Sequence, residues 1–304
     1  MGSRTRTLSV TAGLLVLACL ATRAAPEKKP SPRARLAKAQ RWIYWLQKVD
    51  LERVAKSPAQ VAVIDASRDG SRAGEYGPAD LEKVRRRGRV ALAYWSVGEA
   101  EDYRSYWKPA WRTSPPPWLG KENPDWPGNY PVRYWDPEWK KILLAKEGPL
   151  ARLIAAGFEG VYLDRVDVFE HWVEAGVLGE AEARKKMASF LAEIAAFARA
   201  RRPGFLVIVQ NAASVASRQD VLPLIDGLAL EDTFYDGDEV QELDHTREVL
   251  SHARRVRAAR KQVLAVDYCR KPEHVARFVK RAKEAGFLPY TTVRDLDRYV
   301  APPK

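Results

Sequence analysis

Eight short apolar runs, separated by stretches with helical spacing, constrain the fold of this chain more than anything else in it. They are Trp42–Leu46, Val61–Asp65, Val90–Trp95, Gly160–Asp164, Phe205–Asn211, Gly227–Glu231, Val263–Asp267 and Phe287–Tyr290. Each is a near-continuous hydrophobic run rather than an alternation, the pattern of a parallel strand covered on both faces. The stretches between them read as helices: Pro78–Arg87, Pro137–Ala156 with Gly157 as its stop, Ala181–Arg201, Glu239–Lys261, and Pro272–Ala285 with Gly286 as its stop. In Ala181–Arg201, Met187, Phe190, Leu191, Ile194 and Phe197 keep a helical period. Strand and helix alternating in this way predict an α/β fold, a single (β/α)8 TIM barrel, with a doubly wound open sheet as the alternative. Asp295–Lys304 is too short for a full eighth helix, and Pro32–Arg41 is predicted to form a helix that helps to close the barrel.

One connection breaks the pattern. Ser96 to Asp136 is a loop after the third strand, and loops this long in compact domains are functional or disordered. Seven of the ten tryptophans fall between Trp95 and Trp139, which is too aromatic for disorder. The segment is predicted to pack as a lid over the barrel mouth, with one or two of its tryptophans lining a cleft.

The N-terminus has the layout of a targeting segment. Arg4 and Arg6 precede an apolar run, Leu8–Leu20, that is too short to span a bilayer. Thr22-Arg23-Ala24 offers a small-residue cleavage site, giving a signal peptide over 1–24, a Lys/Pro linker over 25–33 and a barrel domain over 34–304. Val16-Leu17-Ala18-Cys19 offers a second route, a lipobox with a lipid anchor on Cys19. Either route predicts an exported protein, secreted or periplasmic or tethered at the cell surface, and a monomer. After cleavage at Ala24, Cys269 stands alone and no intrachain disulfide can form. The net charge of +12 raises the question of an anionic partner. The Arg and Lys are scattered along helical stretches as on solvated outer faces, so no nucleic acid is expected.

Polar residues cluster where the runs end. Asp65, Asp164, Glu231 and Asp267 close the second, fourth, sixth and seventh; Ser96, Glu99 and Glu101 follow the third; Gln210 and Asn211 end the fifth. In a TIM barrel these positions converge on the C-terminal rim, where active sites lie. Turns and helix caps favour Asp, so any one of them says little, whereas four strand-end carboxylates beside Gln-Asn are hard to dismiss. Two carboxyls around one bond are the equipment of glycoside hydrolysis: one protonates the leaving oxygen, the other acts as nucleophile or as base for water. Other chemistries find no equipment. None of the four histidines lies at a strand end, no His/Cys spacing suits zinc, and Cys269 lacks a strand-end His to activate it. No phosphate or dinucleotide fingerprint and no Gly-x-Ser-x-Gly elbow occurs. The acids from Glu231 to Glu242 do not form an EF-hand loop and read as a negative rim. No metal and no cofactor is expected.

The run Tyr94-Trp95-Ser96-Val97-Gly98-Glu99-Ala100-Glu101-Asp102-Tyr103-Arg104 resembles glycoside hydrolase family 114, the endo-α-1,4-polygalactosaminidases. Gly160-Val161-Tyr162-Leu163-Asp164, Gln210-Asn211 and Glu231-Asp232 match the same family in the same order, and the resemblance spans Trp42 to Tyr290. It implies a TIM barrel with a catalytic Asp after the fourth strand and a catalytic Glu after the sixth, here Asp164 and Glu231. Tyr44, Asp65, Trp95, Glu99, Glu101, Arg104, Asn211 and Asp267 are then expected to bind substrate. The implied activity is hydrolysis of an α-linked, galactosamine-containing polysaccharide. A non-catalytic carbohydrate-binding barrel or surface lipoprotein is the alternative. Which carboxyl gives the proton, and whether configuration is retained, stay open in the sequence.

Overall fold

The structure, a computed structural model, describes residues 1–2 and 30–303. The leader, both processing routes and most of the linker therefore lie outside the described residues. The eight expected strands are present: β1 (Trp42–Tyr44), β2 (Val61–Asp65), β3 (Val90–Ser96), β4 (Gly160–Asp164), β5 (Leu206–Gln210), β6 (Gly227–Glu231), β7 (Gln262–Asp267) and β8 (Leu288–Thr291). They form one sheet in chain order, and every neighbouring pair is parallel. β8 comes back to β1, where the Trp42 indole N–H donates to the Leu288 carbonyl at 3.0 Å. Sequential order with the ends in contact is a (β/α)8 barrel and rules out the doubly wound sheet, whose strand order reverses midway.

The barrel interior is filled by aromatic rings. Trp42 lies 5.4 Å from Tyr290, 6.2 Å from Tyr44 and 6.4 Å from Tyr162, and Tyr44 lies 5.0 Å from Tyr162 and 6.4 Å from Tyr94. A tyrosine buries its ring and keeps a polar tip. In this barrel two of those tips, on Tyr44 and Tyr94, emerge where the strands end.

Three sequence boundaries move, each for a physical reason. The single helix expected over Pro137–Ala156 is two, Pro137–Leu143 and Pro149–Ala156. Pro149 has no N–H to give and its ring would clash with the Ala145 carbonyl, so the helix must restart there. The helix expected over Glu239–Lys261 is Leu243–Ala258, because Tyr235–Asp236 and Glu239–Val240 first form an antiparallel pair. The N-terminal helix is Pro32–Ala37, started by the Ser31 hydroxyl accepting from the Ala34 N–H. It stops short of Arg41 because the N–H groups of Gln40 and Arg41 turn to the Gln60 side chain, leading the chain into β1.

That short helix lies across the N-terminal ends of the strands. Arg35 makes a two-point ion pair with Glu159, just before β4, and Arg33 pairs with Asp226, just before β6, at 2.5 Å. Leu36 is buried between them. At the opposite rim no helix follows β8 among the described residues. The tail instead runs back over the loop after β1, where the Leu296 carbonyl accepts from the N–H groups of Leu46 and Gln47.

The tryptophan-rich connection contains an antiparallel pair, Glu99–Glu101 with Asn129–Pro131. Its aromatics pack mostly on one another: Trp107 on Trp111, Trp111 on Trp118, and Trp118 on Trp139, with ring centroids 5.0 to 5.2 Å apart. Trp126 differs, with half of its surface exposed.

Candidate active site

At the C-terminal rim lies a cavity of about 530 Å3. Asp164 from the end of β4 and Glu231 from the end of β6 both open into it, as do Tyr44, Asp65, Glu99, Arg104 and Asn211. Three strands end there in the same unusual way. The residues after Asp164, Gln210 and Glu231 are Arg165, Asn211 and Asp232, at φ 57°, 61° and 49°. Left-handed backbone costs a non-glycine residue about 1–2 kcal/mol. Three such turns in register around one cavity mark strain concentrated at a functional rim.

Each carboxylate is held by a phenol. The Tyr94 hydroxyl donates to Asp164 Oδ2 at 2.6 Å, and the Arg165 N–H donates to Oδ1 at 2.7 Å. Glu231 is gripped more tightly: the Tyr268 hydroxyl donates to Oε1, and the side-chain amides of Gln210 and Asn211 donate to Oε2, the latter at 2.9 Å. Asn211 also accepts from the Glu231 N–H at 3.0 Å, so its position fixes both backbone and side chain. Burial, and then the neighbouring charge of Asp164, push Glu231 up to about 7, against the hydrogen bonds from Tyr268 and Asn211. Burial likewise raises Asp164 above the usual aspartate range, against the hydrogen bond from Tyr94. Two interacting carboxyls in one buried site cannot both ionise freely, so they share protons as a pair.

The surrounding shell is built from ion pairs. Arg104 forks onto both oxygens of Asp65, at 2.7 and 2.8 Å, and donates through Nε to Glu101 at 2.6 Å. Tyr103 donates to the other Glu101 oxygen at 2.5 Å. The first stretch of the resembling motif thus ties the end of β2 to the loop after β3. Glu99, buried, pairs with Arg165 at 3.1 Å and accepts from Asn123 at 3.0 Å.

Three residues expected to bind substrate do not line this cavity. Trp95 lies between Tyr94 and Ser96 on β3, and the period of two that aims Tyr94 inward turns Trp95 out beneath the helix layer, near Tyr106 and Leu153. Glu101 sits one layer back, holding Arg104. Asp267 is fully buried and accepts the backbone N–H groups of Thr233, Phe234 and Tyr235 at 2.9 to 3.0 Å. It shapes the loop after β6. Asp267→Asn would keep one acceptor oxygen and turn an NH2 group against the donors of the other. Its expected cost is about 2–4 kcal/mol in urea unfolding, and a cost below about 1 kcal/mol would contradict the assignment.

Gln210, expected at the rim with Asn211, lines the cavity; so do Tyr94, Tyr268, Arg165 and Arg294, although none of these four was among the expected site residues. The period of two contains a signal for Tyr268: if Asp267 points away from the barrel axis, its neighbour points toward it. For Arg294 no signal exists. It reaches Asp232 with two bonds, at 2.9 and 3.0 Å, and lies over the Tyr268 ring at 4.5 Å, only because the tail returns to the rim.

The chain is similar to known proteins in sequence and in fold. The sequence profile described as "Glycoside-hydrolase family GH114" matches residues 21–303. An uncharacterized protein of Thermotoga maritima is 40% identical over 265 residues, covering 84% of this chain and 81% of that protein. An uncharacterized protein of Methanocaldococcus jannaschii, MJ1477, is 39% identical over 265 residues, covering 84% and 75%. Among solved structures, the glycoside hydrolase domain of PelA from Pseudomonas aeruginosa superposes with a TM-score of 0.65 at 20% identity, covering 86% of this chain and 98% of that one. An alpha-L-fucosidase isoenzyme from Paenibacillus thiaminolyticus superposes at 0.51 with 16% identity, covering 83% and 45%. At these identities the structural likeness speaks for the fold.

Proposed function

As a member of glycoside-hydrolase family GH114 the chain is a glycoside hydrolase, and we propose that Asp164 and Glu231 are its catalytic pair and that its substrate is an α-linked, galactosamine-containing polysaccharide cut in endo fashion. The observation that carries the pair is their convergence: two carboxyls from non-adjacent strands, in one cavity, each held by its own tyrosine and each raised by burial. Glu231, the one raised to about 7, is protonated at mildly acidic pH. It gives that proton to the leaving glycosidic oxygen as the bond to the anomeric carbon breaks. Asp164, ionised, faces the positive charge that develops on the sugar, as nucleophile or as base for a water. Tyr94 and Tyr268, with phenols pushed up by burial, stay protonated and keep the two carboxyls in place.

An amine-bearing sugar is supported by charge. Beyond Trp126 a second hollow adjoins the cavity, sharing Trp126 and Arg165 with it, and five carboxylates line it: Glu122, Asp125, Asp167, Glu170 and Glu174. The exposed face of Trp126 suits stacking on a sugar ring, and the acids suit ammonium groups along a chain. Export follows from the leader residues, and it makes an extracellular polymer accessible. Incubation with galactosaminogalactan, deacetylated in one arm and acetylated in the other, tests the reading by release of reducing ends. Release from the deacetylated arm is expected to be faster. Failure on both, with cleavage of another α-glycan, would leave the pair standing and remove the sugar; failure on a broad glycan panel would remove both.

A further inference from the structure

The underside of the barrel, opposite the mouth, has a charge pattern of its own. In a TIM barrel the helices end, and the strands begin, on the underside. On this underside the exposed side chains are predominantly cationic. Lys38 follows the N-terminal helix, Lys56 ends Leu51–Lys56, Arg86 and Arg87 follow Pro78–Val84, Arg201 ends the helix Glu180–Arg201, and Arg260 follows Leu243–Ala258. The acids there are mostly consumed. Glu159 is buried against Arg35 and Arg202, and Asp226 is buried against Arg33 and Arg199. Asp220 is paired with Arg218, and Glu284 lies 3.9 Å from Lys280.

Helix dipoles favour cations in a last turn, yet they do not account for all of this. Arg86, Arg87 and Arg260 lie beyond the last α-helical turn. Arg87 and Arg260 also hold left-handed backbone, at φ 60° and 58°. Such turn positions after a helix suit glycine, and any other residue there is strained. Two long cationic side chains therefore stand at underside positions that backbone conformation alone would assign to glycine.

The chain also enters the barrel on this face. Ser31 and Pro32 begin the helix that spans it. We infer that the underside docks on an anionic lipid surface, with the catalytic mouth turned away from it. Cations near such a surface add to its affinity, and the attraction is screened within about 8 Å at physiological salt. The inference rests on the distribution of charge over the fold and holds whatever sugar the mouth accepts.

Flotation of the full chain with vesicles tests it. One set contains phosphatidylglycerol in phosphatidylcholine, the other phosphatidylcholine alone. The ratio of the two isolates the charge contribution from any insertion of Leu8–Leu20. One variant carries Lys38→Glu, Arg86→Glu, Arg87→Glu and Arg260→Glu. A control carries the same change in net charge elsewhere: Lys121→Glu, Lys141→Glu, Lys185→Glu and Arg247→Glu. The ratio is expected to fall at least about tenfold in the first variant and much less in the control, and to approach unity for the wild type at high salt. Equal losses in both variants would overturn the inference, since net charge alone would then explain binding. A ratio near unity for the wild type at low salt would overturn it too. So would tighter binding to a DNA duplex than to the anionic vesicles, lost with the same four residues. Thermal unfolding of both variants at the wild-type temperature excludes misfolding as the cause.

Discussion

Glu231→Gln is expected to lose about 10³-fold or more in glycan cleavage and, at the same time, to make the protein more stable above neutral pH. The first effect follows from removing the proton that the leaving oxygen needs. The second follows from the same displaced equilibrium. Glu231 is raised from 4.5 to about 7 in the folded chain. The folded state therefore holds a proton that the unfolded chain has already released over that interval, and stability falls as pH rises through it. Gln does not titrate, so the variant escapes the loss. Its advantage should be about 1–3 kcal/mol near pH 8 and close to nothing near pH 4, where glutamate is protonated in both states. Urea unfolding at the two pH values reads this directly. Wild-type kcat/KM should also drop about tenfold per unit above pH 7, as the acid form is depleted. A variant that loses activity yet shows no pH-dependent gain would mean that Glu231 is ionised throughout and is not the proton donor.

The two catalytic candidates were legible in the sequence because four carboxylates close apolar runs bound for one rim, and the family resemblance singles out two of them. Their supports were not. Tyr94 lies inside one apolar run and Tyr268 one residue past another, and both pack with the core; only their hydroxyls belong to the site, and a pattern of apolar residues does not show where a ring tip points. Asp267 shows the reverse failure. It too closes an apolar run, but the pleat sends it outward, where three orphan N–H groups of the next loop need an acceptor. A strand-end carboxylate is thus a site residue only when its face is known, and a run buried on both sides carries no alternation from which to read the face. Arg294 lay furthest from inference. Its place at the rim depends on a tail that returns to the loop after β1 instead of forming an eighth helix, and no local pattern encodes that return.

The motif Ser96-Val97-Gly98-Glu99 yields the second large effect, through Gly98. A Cβ at this position would lie 1.9 Å from the Arg165 carbonyl oxygen and 2.6 Å from a Val168 methyl. Both belong to the turn after β4, so Gly98 is where the loop after β3 presses backbone to backbone on the segment that carries Asp164. The contact is reinforced on either side: the Val97 N–H donates to the Asp164 carbonyl at 3.1 Å, and the Val132 N–H donates to the Gly98 carbonyl at 2.9 Å. Arg165 already occupies left-handed backbone and has no softer conformation to retreat into. Gly98→Ala must therefore push the turn away by an ångström or more. Overpacking of this kind costs about 1–3 kcal/mol or more, and a shift of about 1 Å at a reacting group costs about 10²-fold in rate. Gly179→Ala is the matched control: nothing lies within 4 Å of a Cβ there and its backbone is extended. That variant loses only a glycine N-cap, so it should unfold within about 1 kcal/mol of the wild type and keep full activity. If Gly98→Ala were no worse than Gly179→Ala, the close approach that sets Asp164 in the cavity would not exist. If it lost stability but kept its rate, the loop would support the fold without positioning the carboxylate.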